Sequence, residues 1–105
     1  MQAATDSTVR DFFPGLLDAA GMPREAEEMR GIDMLSETCA AEAAAVLRRV
    51  REDAVGRWAP LLQEACFWAE AMVWAAWGGD EDVFEECQES MRRAVTDGIA
   101  LMAVH

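Results

Sequence analysis

Apolar residues recur along this chain at steps of three and four, the spacing of one face of an α-helix, and no stretch alternates long enough to predict a strand. Val9, Phe12, Phe13, Leu16, Leu17 and Ala20 make the first apolar stripe, behind Ser7 and Thr8 as capping candidates. Pro14 falls inside it and removes one backbone donor. The pattern therefore predicts a short turn of helix followed by a second piece starting near Pro14. Gly21 is placed to stop that piece, and Pro23 to open a short acidic helix that ends at Gly31.

Asp33 is the predicted cap of the next helix, which runs from Met34 into the alanine-rich stretch with Ala43, Val46, Leu47, Val50 and Ala54 facing inward. The same phase continues through Trp58, Leu61, Leu62, Ala65, Ala69, Met72, Val73 and Ala76, straight across Pro60. A straight helix from Asp33 to Trp77 would be about 66 Å long at 1.5 Å per residue. A compact domain of this size has a radius of gyration of about 13 Å, so the rod has to bend. The proline ring clashes with the carbonyl four residues back, at the adaptable Gly56, which predicts a kink or break near Gly56–Pro60. Gly78, Gly79 and Asp80 read as a stop, a tight turn and the cap of a last helix. That helix carries Val83, Phe84, Cys87, Met91, Ala94, Val95, Gly98 and Met102 on one face. The expectation is an all-α fold, a compact bundle of about four major helices plus one short helix, forming a single helical domain over residues 1–105.

One segment does not fit a single stripe. Between Ala65 and Trp77, Phe67, Ala71 and Trp74 fall opposite the face that continues the core. A helix apolar on two sides is either central or covered by a partner. Either the Phe12, Phe13, Leu16, Leu17 segment covers this second face, or Phe67 and Trp74 anchor a homodimer or other protein interface.

Charge narrows the choice of partner. Twenty acidic residues stand against nine basic ones, every one of them arginine, for a net charge of −11. A hydrophobic content of 52 % excludes a disordered acidic tail. A surface this negative repels nucleic acid and anionic membrane and steers toward basic proteins or cations. The absence of Lys, Tyr and Asn, all encoded by AT-rich codons, points to a GC-rich bacterial or phage gene. Met1–Asp6 lacks the pattern of a signal peptide, and no apolar run spans a bilayer, so a cytoplasmic location is expected. Cys39, Cys66 and Cys87 are isolated and odd in number, which fits small buried hydrophobes rather than disulfides or a zinc site.

The carboxylates concentrate in two places. Asp80, Glu81, Asp82, Glu85, Glu86 and Glu89 open the last helix with no base among them; Glu25, Glu27, Glu28, Asp33, Glu37 and Glu42 precede or open the long one. The first turn of a helix favours acids, which accounts for Asp80, Glu81 and Asp82. Glu81, Glu85 and Glu89 also repeat at four-residue steps, where like charges repel. They form either a solvated face or a run of charges that stands in for phosphates. Glu25-x-x-Glu28 and Glu86-x-x-Glu89 could also each hold Mg²⁺ in a carboxylate-dependent hydrolase, although no phosphate-gripping Lys or glycine loop accompanies them. Arg48, Arg49, Arg51 and Arg57 interrupt the acidic pattern and are expected to pair within the bundle, Arg57 with Asp53. The lone histidine is His105, which removes most His-dependent catalysis.

The expectation is a non-enzymatic, acidic protein-binding module without metal or other cofactor. By analogy of size and charge alone it matches anti-CRISPR, anti-restriction and nuclease-immunity proteins, which occupy basic nucleic-acid-binding surfaces. Its predicted partner contacts are Glu81, Asp82, Glu85, Glu86 and Glu89, with Glu25, Glu27 and Glu28 as a second patch. Its predicted self-association anchors are Phe67 and Trp74. The alternatives are an assembly subunit dimerising through the aromatic face and the Mg²⁺ hydrolase.

Overall fold

The structure, a computed structural model, describes residues 7–36 and 38–103. The expectations that rest on Met1–Asp6, Glu37 and His105 lie outside the described residues. The fold is all-α, and no strand occurs among the described residues. Helices α1 (Ser7–Ala19), α2 (Pro23–Arg30), α3 (Ala40–Asp53), α4 (Ala59–Gly78) and α5 (Glu81–Met102) follow in order, with a 3₁₀ turn at Gly56–Trp58 before α4. The Cα radius of gyration is 12.7 Å.

The stop signals work as the residue types require. Gly21 takes φ +80°, Met22 N–H donates to Leu17 O at 2.8 Å and Gly21 N–H donates to Asp18 O at 3.1 Å. These two bonds are a Schellman cap, and the Met22 and Leu17 side chains are both buried beside it. Pro23 then starts α2 and Arg30 ends it at Gly31. Gly79, at φ 72°, closes α4 in the same manner, with Asp80 N–H donating to Ala75 O at 3.1 Å. Asp80 caps α5 through Oδ1, which accepts from Val83 N–H at 3.1 Å.

Two boundaries differ from the sequence pattern. Pro14 does not divide α1, which is continuous from Ser7 to Ala19. Val9, Phe13, Leu16 and Leu17 flank the proline on one stripe and are all essentially inaccessible, so burying them together requires one helix. Helix α3 starts at Ala40 and not at Met34. Asp33 accepts from Leu35 N–H at 3.2 Å, and two successive turns follow, Ser36 N–H to Asp33 O and Cys39 N–H to Ser36 O. Asp, Ser and Thr side chains offer the backbone turn partners that compete with a helix. The expected interruption of the long rod is a break, placed slightly earlier than Pro60: Ala54 and Val55 are extended, Gly56 has φ +68°, and Pro60 sits in the first turn of α4. That break separates Asp53 from Arg57, so their expected pair does not form, and Arg57 lies instead 5.6 Å over the ring of Trp58.

The helices form a closed ring. Each packs on its neighbours in sequence, and α1 packs on α5 to complete the circle. The seam closes tightly at Gly98, where a Cβ would come within 2.7 Å of a Leu16 methyl and 3.2 Å of a Leu61 methyl. The core inside the ring includes Phe13, Leu16, Leu47, Leu62, Met72 and Met91, all inaccessible or nearly so.

Candidate functional site

The start of α5 is the larger acidic surface. Glu81, Asp82, Glu85 and Glu86 are exposed and make no ion pair among the described residues. Glu89 is different. Arg92 Nε donates to it at 2.9 Å and Arg93 Nε lies at 3.4 Å, and the hydrogen bond from Arg92 holds its carboxyl below the ordinary range. Four of the five predicted contacts on this helix therefore present free charge, and the fifth is neutralised locally.

The second predicted patch is mostly consumed by the bundle. Glu28 pairs with Arg49 of α3 and with Arg24 at 3.4 Å, and Glu27 lies 3.5 Å from Arg30, which also pairs with Asp18 of α1. These contacts tie α2 to its neighbours. Only Glu25, half-buried, has no ion pair among the described residues. The two Glu-x-x-Glu pairs thus each have one member engaged by arginines. Among the described residues no three Asp, Glu, Cys or His side chains gather in a group that could hold a metal ion.

The aromatic face of α4 is uncovered. Phe67 is 52 % exposed, Trp74 55 % and Trp77 45 %. The expectation that α1 lies over this face is overturned: α1 packs on α2 and α5, and its backbone makes no close approach to α4. Phe12, expected on the α1 core stripe, is itself 52 % exposed. The buried arc of α1 centres on Phe13 and Leu16, which leaves Phe12 on its edge.

Comparison with protein-family models, with curated proteins and with solved structures found no match for this chain. Its functional reading rests on these surfaces alone.

Two further features come from the fold and were not anticipated by residue spacing. Glu70 of α4 is nearly enclosed, with Arg51 at 2.9 Å and Arg48 at 3.6 Å, and its Oε1 lacks a hydrogen bond. The sequence signal was an acid in the most apolar stretch of α4, where Glu64 is the other acid, opposite a helix rich in arginine. Beside it, burial pushes the Cys66 thiol up to about 12, with Glu70 adding to the shift and Arg51 opposing it. Cys66 and Cys87 are buried, Cys39 is half-buried, and all three are free thiols. A cleft of about 510 Å³ lies between the first half of α1 and residues 29–34, with Val9, Phe13, Met29 and Met34 as its apolar lining and Arg10, Arg30 and Asp33 as its charged lining. No described helix is long and apolar enough to cross a membrane.

Proposed function

We propose that this protein is a small acidic binding module that occupies the basic, nucleic-acid-binding surface of a partner protein and so inhibits or regulates it, in a bacterial or phage setting. The observation that carries this reading is the set Glu81, Asp82, Glu85 and Glu86, exposed on the first turns of a well-capped helix and without ion pairs among the described residues, while the carboxylates of α2 are largely matched by arginines. Leaving four like charges close together is unfavourable by a few tenths of a kcal/mol per pair at about one-turn spacing. A basic partner relieves that repulsion and gains fast, salt-sensitive encounter. Trp77 precedes these carboxylates by the short Gly78–Asp80 turn, so an exposed aromatic side chain stands at the same end of the bundle.

The test is affinity capture from a GC-rich bacterial lysate at low and at high salt, with bound proteins identified by mass spectrometry. A basic nucleic-acid-binding protein is expected at low salt, released at about 0.5 M salt. It is expected to be lost when Glu81→Lys, Glu85→Lys and Glu86→Lys are combined, a variant that leaves the Arg-paired Glu89 in place. Equal capture by the triple variant at low salt would overturn the proposal.

A further inference from the structure

We infer that the outer face of α4 pairs with the same face of a second copy of this chain, the two helices running antiparallel. Phe67, Ala71, Trp74 and Gly78 follow one another at steps of four, three and four residues, the step pattern of a coiled-coil seam. At about 100° per residue they fall within about 60° of arc, opposite Ala65, Ala69 and Met72 in the core. The seam therefore reads large, small, large, small.

That alternation selects the occupant and its direction. In an antiparallel pair of identical helices the layers set Phe67 against Gly78 of the second copy, and Ala71 against its Trp74. Every ring meets a small residue, at four layers related by one two-fold axis. A parallel pair would set Trp74 on Trp74 and Ala71 on Ala71, crowding one layer and leaving a void in the next. The hole that would receive Phe67 is the missing side chain of Gly78, and in the single copy this position faces open space, since a Cβ built there meets nothing within 4 Å.

Charge and area agree with a second copy. Between Phe67 and Gly78 the seam carries no ionised side chain, and Glu70 beside it is matched by Arg48 and Arg51. On a chain of net charge −11 this strip is where two copies can approach without opposing carboxylates. An aromatic side chain buries about 150–250 Å² in full. Phe67, Trp74 and the flanking Trp77, each about half exposed, therefore contribute roughly 300 Å² per copy. A standard interface buries about 800 Å² per partner, so the pair is a weak one that forms with rising concentration. Each copy carries a net charge of −11, so salt screens the repulsion between the two molecules and strengthens this association. Binding of a basic partner responds to salt in the opposite direction, which keeps the fate of this inference separate from that of the proposed function.

The test is sedimentation equilibrium of the purified full chain from about 5 to 500 µM at low salt and at about 0.5 M salt. The wild type is expected to shift from monomer toward dimer, more so at high salt, with a blue shift of tryptophan emission as Trp74 is covered. Gly78→Phe fills the hole and is expected to weaken dimerisation at least tenfold, with circular dichroism reporting an intact monomer. Combining it with Phe67→Ala exchanges large for small in the same layer and is expected to restore the dimer. Trp74→Ala, at an exposed position, is a second route to the loss. A wild type that stays monomeric throughout, a dimer indifferent to Gly78→Phe and Trp74→Ala, or a double variant that fails to recover would each overturn the inference.

Discussion

Cys66 gives the bundle an alkaline signature that few chains could show cleanly. The sequence has no lysine and no tyrosine, so between about pH 9 and 12 its titrating side chains are its cysteines. The Cys66 thiol is raised from 9.0 to about 12 in the fold, mainly by burial, and that of Cys87 is raised as well. A thiol whose folded value lies above its unfolded value favours folding fully below pH 9 and loses that contribution as pH climbs toward 12. Stability measured by urea unfolding is expected to fall above pH 9, by up to about 1.4 kcal/mol per pH unit for each buried thiol. Cys66→Ala is expected to be less stable at neutral pH and to show a flatter alkaline limb. An unchanged slope in that variant would show that Cys66 is not the group responsible. At this scale the sequence was largely legible. Leu47, Val50, Leu62, Met72, Val73, Met91 and Val95, placed on core faces by periodicity, are all inaccessible. Phe12 was misplaced because a stripe gives the direction of burial, whereas the width of the buried arc is set by which helices lie against it.

At the scale of elements, the sequence located stops better than starts. Two of the stops rest on a single residue able to take a left-handed conformation, and Gly21 and Gly79 both do so. A start depends on what competes with the helix: Leu35, Ser36 and Cys39 donate their backbone N–H groups within turns, and α3 waits until Ala40. Pro14 shows the converse, a local penalty of about 3 kcal/mol outweighed by the joint burial of two halves of one stripe. The α3 and α4 pairing adds an ionic lock, since Glu70 is enclosed with Arg51 and Arg48 as its charge partners. Removing a partner strands the carboxylate, whereas removing the carboxylate itself does not. Arg51→Ala is expected to cost about 2 kcal/mol in urea unfolding, and Glu70→Met distinctly less. Equal losses from the two substitutions would mean that packing, and not the lock, sets the cost. Of the predicted contact residues, Glu81, Asp82, Glu85 and Glu86 on α5 stayed free among the described residues, whereas Glu27 and Glu28 on α2 did not. The difference was invisible in sequence because it depends on where Arg49 and Arg30 land, and those positions follow from the packing of α3 and α1 against α2.

At the scale of the molecule, the ring has four interfaces between sequence neighbours and one, α1 on α5, between the two ends of the described chain. The first four are tethered by short connections, while the fifth closes nearly the whole length of the chain and pays the largest loop entropy. Gly98 is where it shuts, because Leu16 already occupies the space a side chain would need. Gly98→Val is expected to cost about 1–3 kcal/mol by overpacking. In native-state hydrogen exchange it is expected to raise exchange in α1 and α2 well above that in the α4 and α5 hairpin. Uniform acceleration across all five helices would show that the ring opens only as a whole. The α1 and α5 seam is in this sense a clasp. Once it is unfastened, α1 and α2 become an arm attached only through the connection to α3, free to close on the α5 of another copy. Domain exchange between rings is then the natural failure of this fold.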